Sequence, residues 1–215
     1  MYYLEGAILA KRNEMRHAIL NAIDDAIRAI EKIKEETAVA FIEQSAQMIA
    51  SCFQRGNKLL VCGNGGSLCD AMHFAEELSG FYREKRAALP AIALSDPGLL
   101  TCVGNDVGYE SVFARAVEAL GKSGDILAVL TTSGNSSNLL PAVRAAKERG
   151  LFTIAFLGKT GGKLKGVADL EWIVSGFNWS DRIQEAHMTA IHILIEQVEK
   201  LVFAAKPTHV ETAIL

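Results

Sequence analysis

Residues 59–67 read LLVCGNGGS, and this stretch decides the fold. Its first four residues form a continuous apolar run of strand length, and a glycine-rich turn follows at once. Residues 67–82 then have the length of a helix and contain no proline. A buried strand that leads through glycines into a helix is typical of a parallel α/β sheet, in which ligands bind at the carboxyl ends of the strands.

The same alternation continues along the chain and predicts the fold class. Short apolar runs predict buried strands at 59–62, 91–94, 126–130, 153–157 and 170–174. Segments of helix length lie between most of them, at 67–82, 110–120 and 139–149, and a last helix is predicted at 180–203. We therefore predict a three-layer α/β fold, with a five-stranded parallel sheet covered by helices on both faces.

The N-terminal part of the chain precedes any strand. Residues 13 to about 54 contain neither glycine nor proline and repeat apolar residues at helical spacing, while charges at 32–36 predict a break into two helices. Their apolar faces can pack on their own domain or on another subunit. Since no repeat or linker is present, we predict a single domain over 13–203, with an extension at 1–12 and an irregular tail at 204–215.

The composition excludes several classes of protein. Half of the 215 residues are hydrophobic, so the chain has enough apolar material for a large core and is not a disordered protein. A net charge of −3 offers no basic surface for nucleic acid or membranes. Neither a membrane span nor a signal peptide is evident. The four cysteines lack CxxC spacing, so we expect reduced thiols and a cytoplasmic protein.

The first polar loop follows the strand at 59–62. Gly63, Gly65 and Gly66 let the backbone approach a ligand closely, and we expect Ser67 to cap the helix that follows. The loop is not a dinucleotide fingerprint, because Leu68 stands where a third glycine is needed. It also lacks the Gly-Lys-Ser/Thr ending of a P-loop.

The second polar loop, TTSGNSSN at 131–138, lies between a predicted buried strand and a helix. Hydroxyl groups and free backbone N–H groups at a helix N-terminus suit a phosphate, which the helix dipole also favours. Ordinary helix capping needs only one or two such residues, so a polar run of eight favours a phosphate site. The loop has no lysine or arginine, and recognition would therefore depend on N–H and O–H donors.

Two helices carry candidate acid–base residues. His73 and Glu77 share one face of a helix, whereas Glu76 lies about 100° around it. On the last helix, Gln184 and His192 are separated by ~12 Å along the axis. His192 lies in an apolar run, where a histidine is more often a core residue than a catalyst. One straight helix would not bring Gln184 and His192 to a single small site. Either the first turn of the helix is distorted, or each residue serves a site that a neighbouring subunit completes, and this second possibility favours an oligomer.

Six motifs in one order identify a family resemblance. The chain resembles the phosphoheptose isomerases of the SIS (sugar isomerase) family from its first long helix to about residue 201. The resemblance implies a flavodoxin-like SIS fold and a homotetramer with active sites at subunit interfaces. The motifs are CGNGGSLCDAMHFAEEL (62–78), PAIALSD (90–96), GND (104–106), TTSGNSSN (131–138), GKTGGK (158–163) and DRIQEAHMTAIHILIEQVEK (181–200).

The resemblance also implies an activity and a set of site residues. Such enzymes convert sedoheptulose 7-phosphate to D-glycero-D-manno-heptose 7-phosphate, the first step towards the ADP-heptose of lipopolysaccharide core. By position, Glu77 is the expected general base and His192 the acid–base partner, and zinc would bind His73, Glu77, Gln184 and His192. The expected substrate contacts are Asn64, Gly65, Gly66, Asn105, Asp106, Thr131, Thr132, Ser133, Ser136 and Gln184, with Ser67 in the same loop.

Two points in this interpretation stay open at the level of sequence. A glutamate bound tightly to zinc is a poorer base, so either the zinc is held loosely or Glu77 alternates between roles. The rival functions are a non-catalytic SIS protein that binds the bacterial replication initiator and a sensor or isomerase for another sugar phosphate. Relatives of the first kind lack the counterparts of Glu77 and His192, so their presence here favours the enzyme.

Overall fold

A computed structural model describes residues 2–203, with side chains from residue 11 onward. The predicted tail at 204–215 lies outside the described residues. In the described part of the chain, five parallel strands form one sheet: β1 (Leu59–Gly63), β2 (Ala91–Ala93), β3 (Ile126–Thr131), β4 (Phe152–Gly158) and β5 (Leu170–Val174). Their order is β2-β1-β3-β4-β5, which is the flavodoxin-like arrangement. The predicted five-stranded parallel sheet is confirmed.

Within residues 2–203, seven α-helices accompany the sheet. They are α1 (Tyr2–Glu31), α2 (Glu36–Gln54), α3 (Gly66–Ser79), α4 (Pro97–Asp106), α5 (Val112–Leu120), α6 (Leu139–Glu148) and α7 (Ser180–Phe203). The break predicted at 32–36 is a 3-10 turn between α1 and α2. Helix α1 begins at Tyr2, so the residues that we separated as an extension share a helix with the residues after them.

Alternate residues of each strand face opposite layers. Leu59, Val61 and Phe156 belong to a core with α2, α3 and α7, while Leu60 and Leu157 belong to a core with α4, α5 and α6. Because both faces of β1 and β3 are covered, all residues of these two strands are buried and nearly all are apolar, as the continuous runs in the sequence indicated. This layering brings α3 and α7 side by side on one face of the sheet.

Two helices differ from the prediction. Helix α3 ends at Ser79 rather than at residue 82, because Gly80 has non-helical backbone angles (φ −83°, ψ −118°) that turn the chain away. Sequence reasoning missed helix α4, although Asp96 and Pro97 are typical residues for the start of a helix. The Asp96 carboxylate accepts a hydrogen bond from Leu99 N at 2.7 Å, and proline suits the first helical position. Among residues 2–203, no helix combines the length and apolarity needed to cross a membrane.

Candidate active site

The two polar loops meet where the strand order reverses. In the sheet, β2 lies on one side of β1 and β3 lies on the other side. The chain therefore changes direction across the sheet at β1, and a crevice opens between the loops that follow β1 and β3. These are the glycine-rich loop before α3 and the hydroxyl-rich loop before α6. The topology therefore places both predicted anion loops at the position where α/β sheets bind ligands.

A pair of amide side chains joins the two loops. Asn64 Nδ2 donates to Asn138 Oδ1 at 2.8 Å, and Asn138 Nδ2 donates back to Asn64 Oδ1 at 2.9 Å. The hydroxyl of Tyr109 also donates to Asn64 Oδ1, at 2.7 Å. Asn64 therefore accepts two hydrogen bonds and retains one N–H for a ligand. Sequence reasoning missed Tyr109 and Asn138 as contributors because only the folded chain brings them to Asn64.

The hydroxyl-rich loop is held partly by its own side chains. The Thr131 hydroxyl accepts from Gly134 N at 3.2 Å, and the Ser133 hydroxyl accepts from Asn135 N at 3.2 Å. The hydroxyls of Thr132 and Ser180 lie 3.0 Å apart and connect the loop to the start of α7. The half-buried Ser136 lies in the same loop. Four expected substrate contacts, Thr131, Thr132, Ser133 and Ser136, thus lie together before α6.

The glycine-rich loop corrects one expectation. Ser67 does not cap α3: Gly65 occupies the N-cap position, without a side-chain cap, and Ser67 is buried at the second helical residue. Gly65 has a φ of 56°, which favours glycine, and an added Cβ there would meet open space. At Gly66 an added Cβ would lie 2.6 Å from Gln184 Nε2, so this glycine makes room for α7.

A carboxylate and two imidazoles converge between α3 and α7. His73 Nε2 lies 3.1 Å from Glu77 Oε1, one helical turn away. His192 comes from α7, and its ring centroid lies 5.1 Å from that of His73. One candidate ligand atom from each of the three side chains lies within 4.8 Å of the others. Glu76 stays outside this group and is mostly exposed, as its position around the helix predicted.

His192 lies at the site and not in the core. The ring is half-buried, and a stacked Tyr82 ring lies 5.7 Å from it between centroids. Burial lowers the pKa of His192, with the neighbouring His73 adding to this and Glu77 opposing it. The structure thereby excludes the alternative that His192 is a fully buried core histidine.

Asp70 is a further acidic group that sequence reasoning missed. It lies three residues before His73 and seven before Glu77, so all three share one face of α3. Burial raises the pKa of Asp70 to about 6, and His73 opposes this shift. Within the described part of the chain, Asp70 Oδ2 has no hydrogen-bond partner. Extending the search for the His73 and Glu77 face by one turn would have found it.

Within one chain, Gln184 lies apart from the group formed by His73, Glu77 and His192. Its Nε2 is 3.5 Å from the Ser67 hydroxyl, at the first turn of α3, whereas His192 lies beside the later turns. Helix α7 is continuous from Ser180, so the distorted first turn that we considered is absent. Asn105 and Asp106 are exposed at the end of α4, where Asn105 Nδ2 donates to Asp106 Oδ1 at 2.7 Å.

His187, the other histidine of the last helix, is structural. It is fully buried, and its Nε2 donates to the Leu157 carbonyl of β4 at 3.0 Å. Burial lowers the pKa of His187 to about 4. The neutral ring therefore fastens α7 to the sheet and takes no part in the site.

Comparison with known proteins identifies the family of the chain. Residues 23–158 match the family model described as SIS domain. The phosphoheptose isomerase of Vibrio cholerae is 52% identical over 183 residues, which is 85% of this chain and 96% of that protein. The chain belongs to the phosphoheptose isomerase family of SIS proteins.

Solved structures of phosphoheptose isomerases share the fold. The enzyme of Neisseria gonorrhoeae superposes with a TM-score of 0.81 and 36% identity, over 86% of this chain and 99% of that one. The enzyme of Francisella tularensis has a TM-score of 0.76 and 39% identity, over 84% and 98% of the two chains. The predicted family and its enzymatic character are confirmed. The chain is a sugar-phosphate isomerase.

Proposed function

We propose that this isomerase converts sedoheptulose 7-phosphate to D-glycero-D-manno-heptose 7-phosphate, the first step towards ADP-heptose for lipopolysaccharide core. The observation that carries the proposal is the convergence of Glu77 and His192 from two helices, in a chain of the phosphoheptose isomerase family. A carboxylate and a neutral imidazole are the groups that an aldose–ketose isomerisation needs, because protons move on carbon and on oxygen.

The proposed mechanism proceeds through an enediol(ate). The Glu77 carboxylate removes a proton from C1 of the ketose, and the electron pair of that C–H bond forms the C1–C2 double bond. His192 transfers the hydroxyl proton of C1 to the former carbonyl oxygen at C2. Glu77 then returns its proton to C2, which leaves an aldehyde at C1. Lowering of its pKa keeps His192 neutral near pH 7, so it can accept a proton first.

The same three side chains fit a zinc ion. Two imidazoles and one carboxylate are the ligand types of catalytic zinc sites, which keep further positions open for substrate. His73, Glu77 and His192 would hold the ion, and we propose that Gln184 joins them in the assembled enzyme. When bound, zinc would stabilise negative charge on the substrate oxygens.

We propose that the loops at the strand reversal hold the rest of the substrate. The hydroxyls of Thr131, Thr132, Ser133 and Ser136 lie before the N-terminus of α6, where the helix dipole favours a phosphate. Asn64 offers its remaining N–H beside them. Gly65, Gly66 and Ser67 adjoin Asn64, and Asn105 and Asp106 at the end of α4 would contact the sugar.

One assay tests this function directly. The purified protein is incubated with sedoheptulose 7-phosphate, and the product is identified by NMR, with and without a chelator. We expect the seven-carbon aldose phosphate and a loss of rate with chelator that zinc restores. Shorter ketose phosphates serve as controls for chain length. Turnover of a shorter substrate alone would contradict the proposed substrate, and full activity after complete chelation would contradict the zinc site.

We also propose a homotetramer whose active sites lie at subunit interfaces. Helix α1 carries five apolar side chains on one face, and 42–66% of each is exposed in the single chain: Met15, Ile19, Ile23, Ile27 and Ile30. Their spacing of three or four residues forms one continuous stripe. Ile193, next to His192, lines a groove that continues from Ile30, so the stripe leads towards the site.

Light scattering coupled to size-exclusion chromatography tests the assembly. We expect a tetramer, and we expect Ile19→Glu/Ile23→Glu to dissociate it and to reduce turnover. Asn21→Glu adds a charge to the opposite face of the same helix and serves as the control. A fully active monomer would contradict the shared site.

The remaining proposals concern location and domain limits. We propose a cytoplasmic protein, because Cys52, Cys62, Cys69 and Cys102 are all free thiols, as expected in a reducing compartment. We propose that residues 13–203 act as one SIS domain, and that residues 1–12 and 204–215 are dispensable for the fold. A truncated chain of 13–203 with unchanged thermal stability would support those limits.

A further inference from the structure

Arg86 makes an unusual set of contacts for a residue in a connecting segment. It follows α3 by seven residues, yet only 8% of its side chain is exposed. Its Nη2 donates to the Glu77 carbonyl at 2.7 Å, and its Nη1 donates to the carbonyls of Leu78 and Gly80, each at 2.7 Å. The guanidinium therefore satisfies the carbonyl groups that end α3, including that of the proposed base.

The same guanidinium also reaches α7. Arg86 Nε donates to Glu199 Oε1 at 2.7 Å, and both side chains are largely buried. Glu199 is seven residues after His192, which places the two on nearly the same face of α7, ~10 Å apart along its axis. One side chain thus contacts both helices that supply the site.

Two residues between Gly80 and Arg86 contact the same face of α7 at two further positions along the helix. Tyr82 stacks on His192, and Arg83 pairs with Glu196 at 3.0 Å. The Arg83 pair is more exposed than the Arg86 pair, and exposed pairs contribute little. Arg86 is therefore the buried anchor of this segment.

The charge of Arg86 suits its place in the fold. Helix α3 ends with Glu76 and Glu77 in its last turn and has no basic residue there. Acidic side chains at a helix C-terminus are unfavourable, because the last carbonyls already carry partial negative charge. Arg86 supplies the missing positive charge from outside the helix, so a carboxylate can stand at this position.

We propose that Arg86 is a positioning residue for the isomerisation: it fixes the end of α3 against α7, so that Glu77 and His192 address the same substrate carbons. This inference rests on the proposed function and names a residue that acts through the two catalytic side chains. A residue of this kind affects the chemical step more than substrate binding, since the phosphate is bound by other loops.

Steady-state kinetics of Arg86→Met and of Arg86→Met/Glu199→Leu test the proposal. The single variant leaves Glu199 buried and unpaired, so it loses stability. The double variant removes that buried charge and recovers the part of the thermal midpoint that the unpaired carboxylate costs, while the carbonyls that Arg86 contacted stay unpaired in both variants. We expect kcat to fall at least tenfold in both variants, with KM changed less than threefold. Lys200→Gln, which removes an exposed cation beside Glu199, is the control and keeps the wild-type kcat.

The outcomes separate this inference from the proposed function. If the wild-type protein does not isomerise sedoheptulose 7-phosphate, the proposed function fails before any variant is compared. If the wild type is active and the double variant regains both stability and kcat, Arg86 is merely structural and the inference fails. Recovery of stability with a persistently low kcat supports a positioning role.

Discussion

The two histidines of α7 lie five residues apart and have different environments. His187 faces the sheet, where burial lowers its pKa to about 4 and the Leu157 carbonyl accepts its hydrogen bond. His192 faces α3, where it meets His73 and Tyr82 and remains half-buried. The contrast teaches that the face of the helix, and not the residue type, decides whether an imidazole is buried in the core or lies at the candidate site.

The largest effect on kcat is expected from a change at Glu77, the proposed base beside His192. Glu77→Gln should lower kcat by about 10³-fold or more, since general base catalysis contributes up to ~10⁴-fold. The amide is similar in size, so the thermal midpoint and the oligomeric state should stay near those of the wild type. Steady-state kinetics with sedoheptulose 7-phosphate measures the loss, and a wild-type rate would remove Glu77 from the mechanism.

The histidine comparison is tested directly by a matched pair of variants. His192→Gln should reduce kcat by at least ~10²-fold, because it removes the imidazole that we propose transfers the oxygen-bound protons. His187→Gln should keep kcat per folded molecule, because that side chain contacts only the core. Equal losses in the two variants would show that the two faces do not differ in function.

The stability of the protein in acid should depend more on His187, whose pKa is lowered to about 4, than on His192. The folded pKa of His187 lies below its unfolded value of 6.5, so the unfolded chain binds more protons as the pH falls. This contribution is complete above pH 6.5 and is lost towards pH 4, with a cost of about 2 kcal/mol at pH 5. Urea unfolding at pH 7 and pH 5 should show a smaller difference for His187→Gln than for the wild type.

The smallest effect is expected on KM, from changes to the side chains that hold Asn64 between the two polar loops. Tyr109→Phe removes one of two hydrogen bonds to Asn64 Oδ1 and should raise KM a few-fold, by about 1 kcal/mol, with kcat unchanged. Asn138→Ala also breaks the bridge between the loops and should raise KM further. Unchanged KM in both variants would show that the orientation of Asn64 does not matter for substrate binding.

Much of the fold could be predicted because the information is local. The apolar runs at 126–130 and 170–174 are bounded by turn residues, and the structure has strands at Ile126–Thr131 and Leu170–Val174. Helix α4 was missed because it is short and weakly patterned, so only the Asp96–Pro97 pair signals it. The end of α3 was misplaced because the helix predicted at 67–82 includes Gly80, which ends it; Arg86 then satisfies the carbonyls left at that end.

The candidate site was only partly predictable. His73 and Glu77 share a helix face by their spacing, but a helical repeat cannot show that His192 approaches that face from another helix. The expectation that Ser67 caps α3 was wrong, because Gly65 takes the N-cap position and Ser67 is buried. Asp70, Tyr109 and Arg86 escaped notice, since each depends on a contact with residues distant in the chain or on burial.

By itself, the sequence determined the strands, most helices, the two polar loops and the family, because hydrophobic spacing and motif order are properties of neighbouring residues. Only the tertiary structure decided which face of α7 each histidine occupies, that Asn64 and Asn138 join the loops, and that Arg86 ties α3 to α7. These arrangements arise when packing both faces of the sheet fixes the helices against one another, so they depend on residues far apart in the chain.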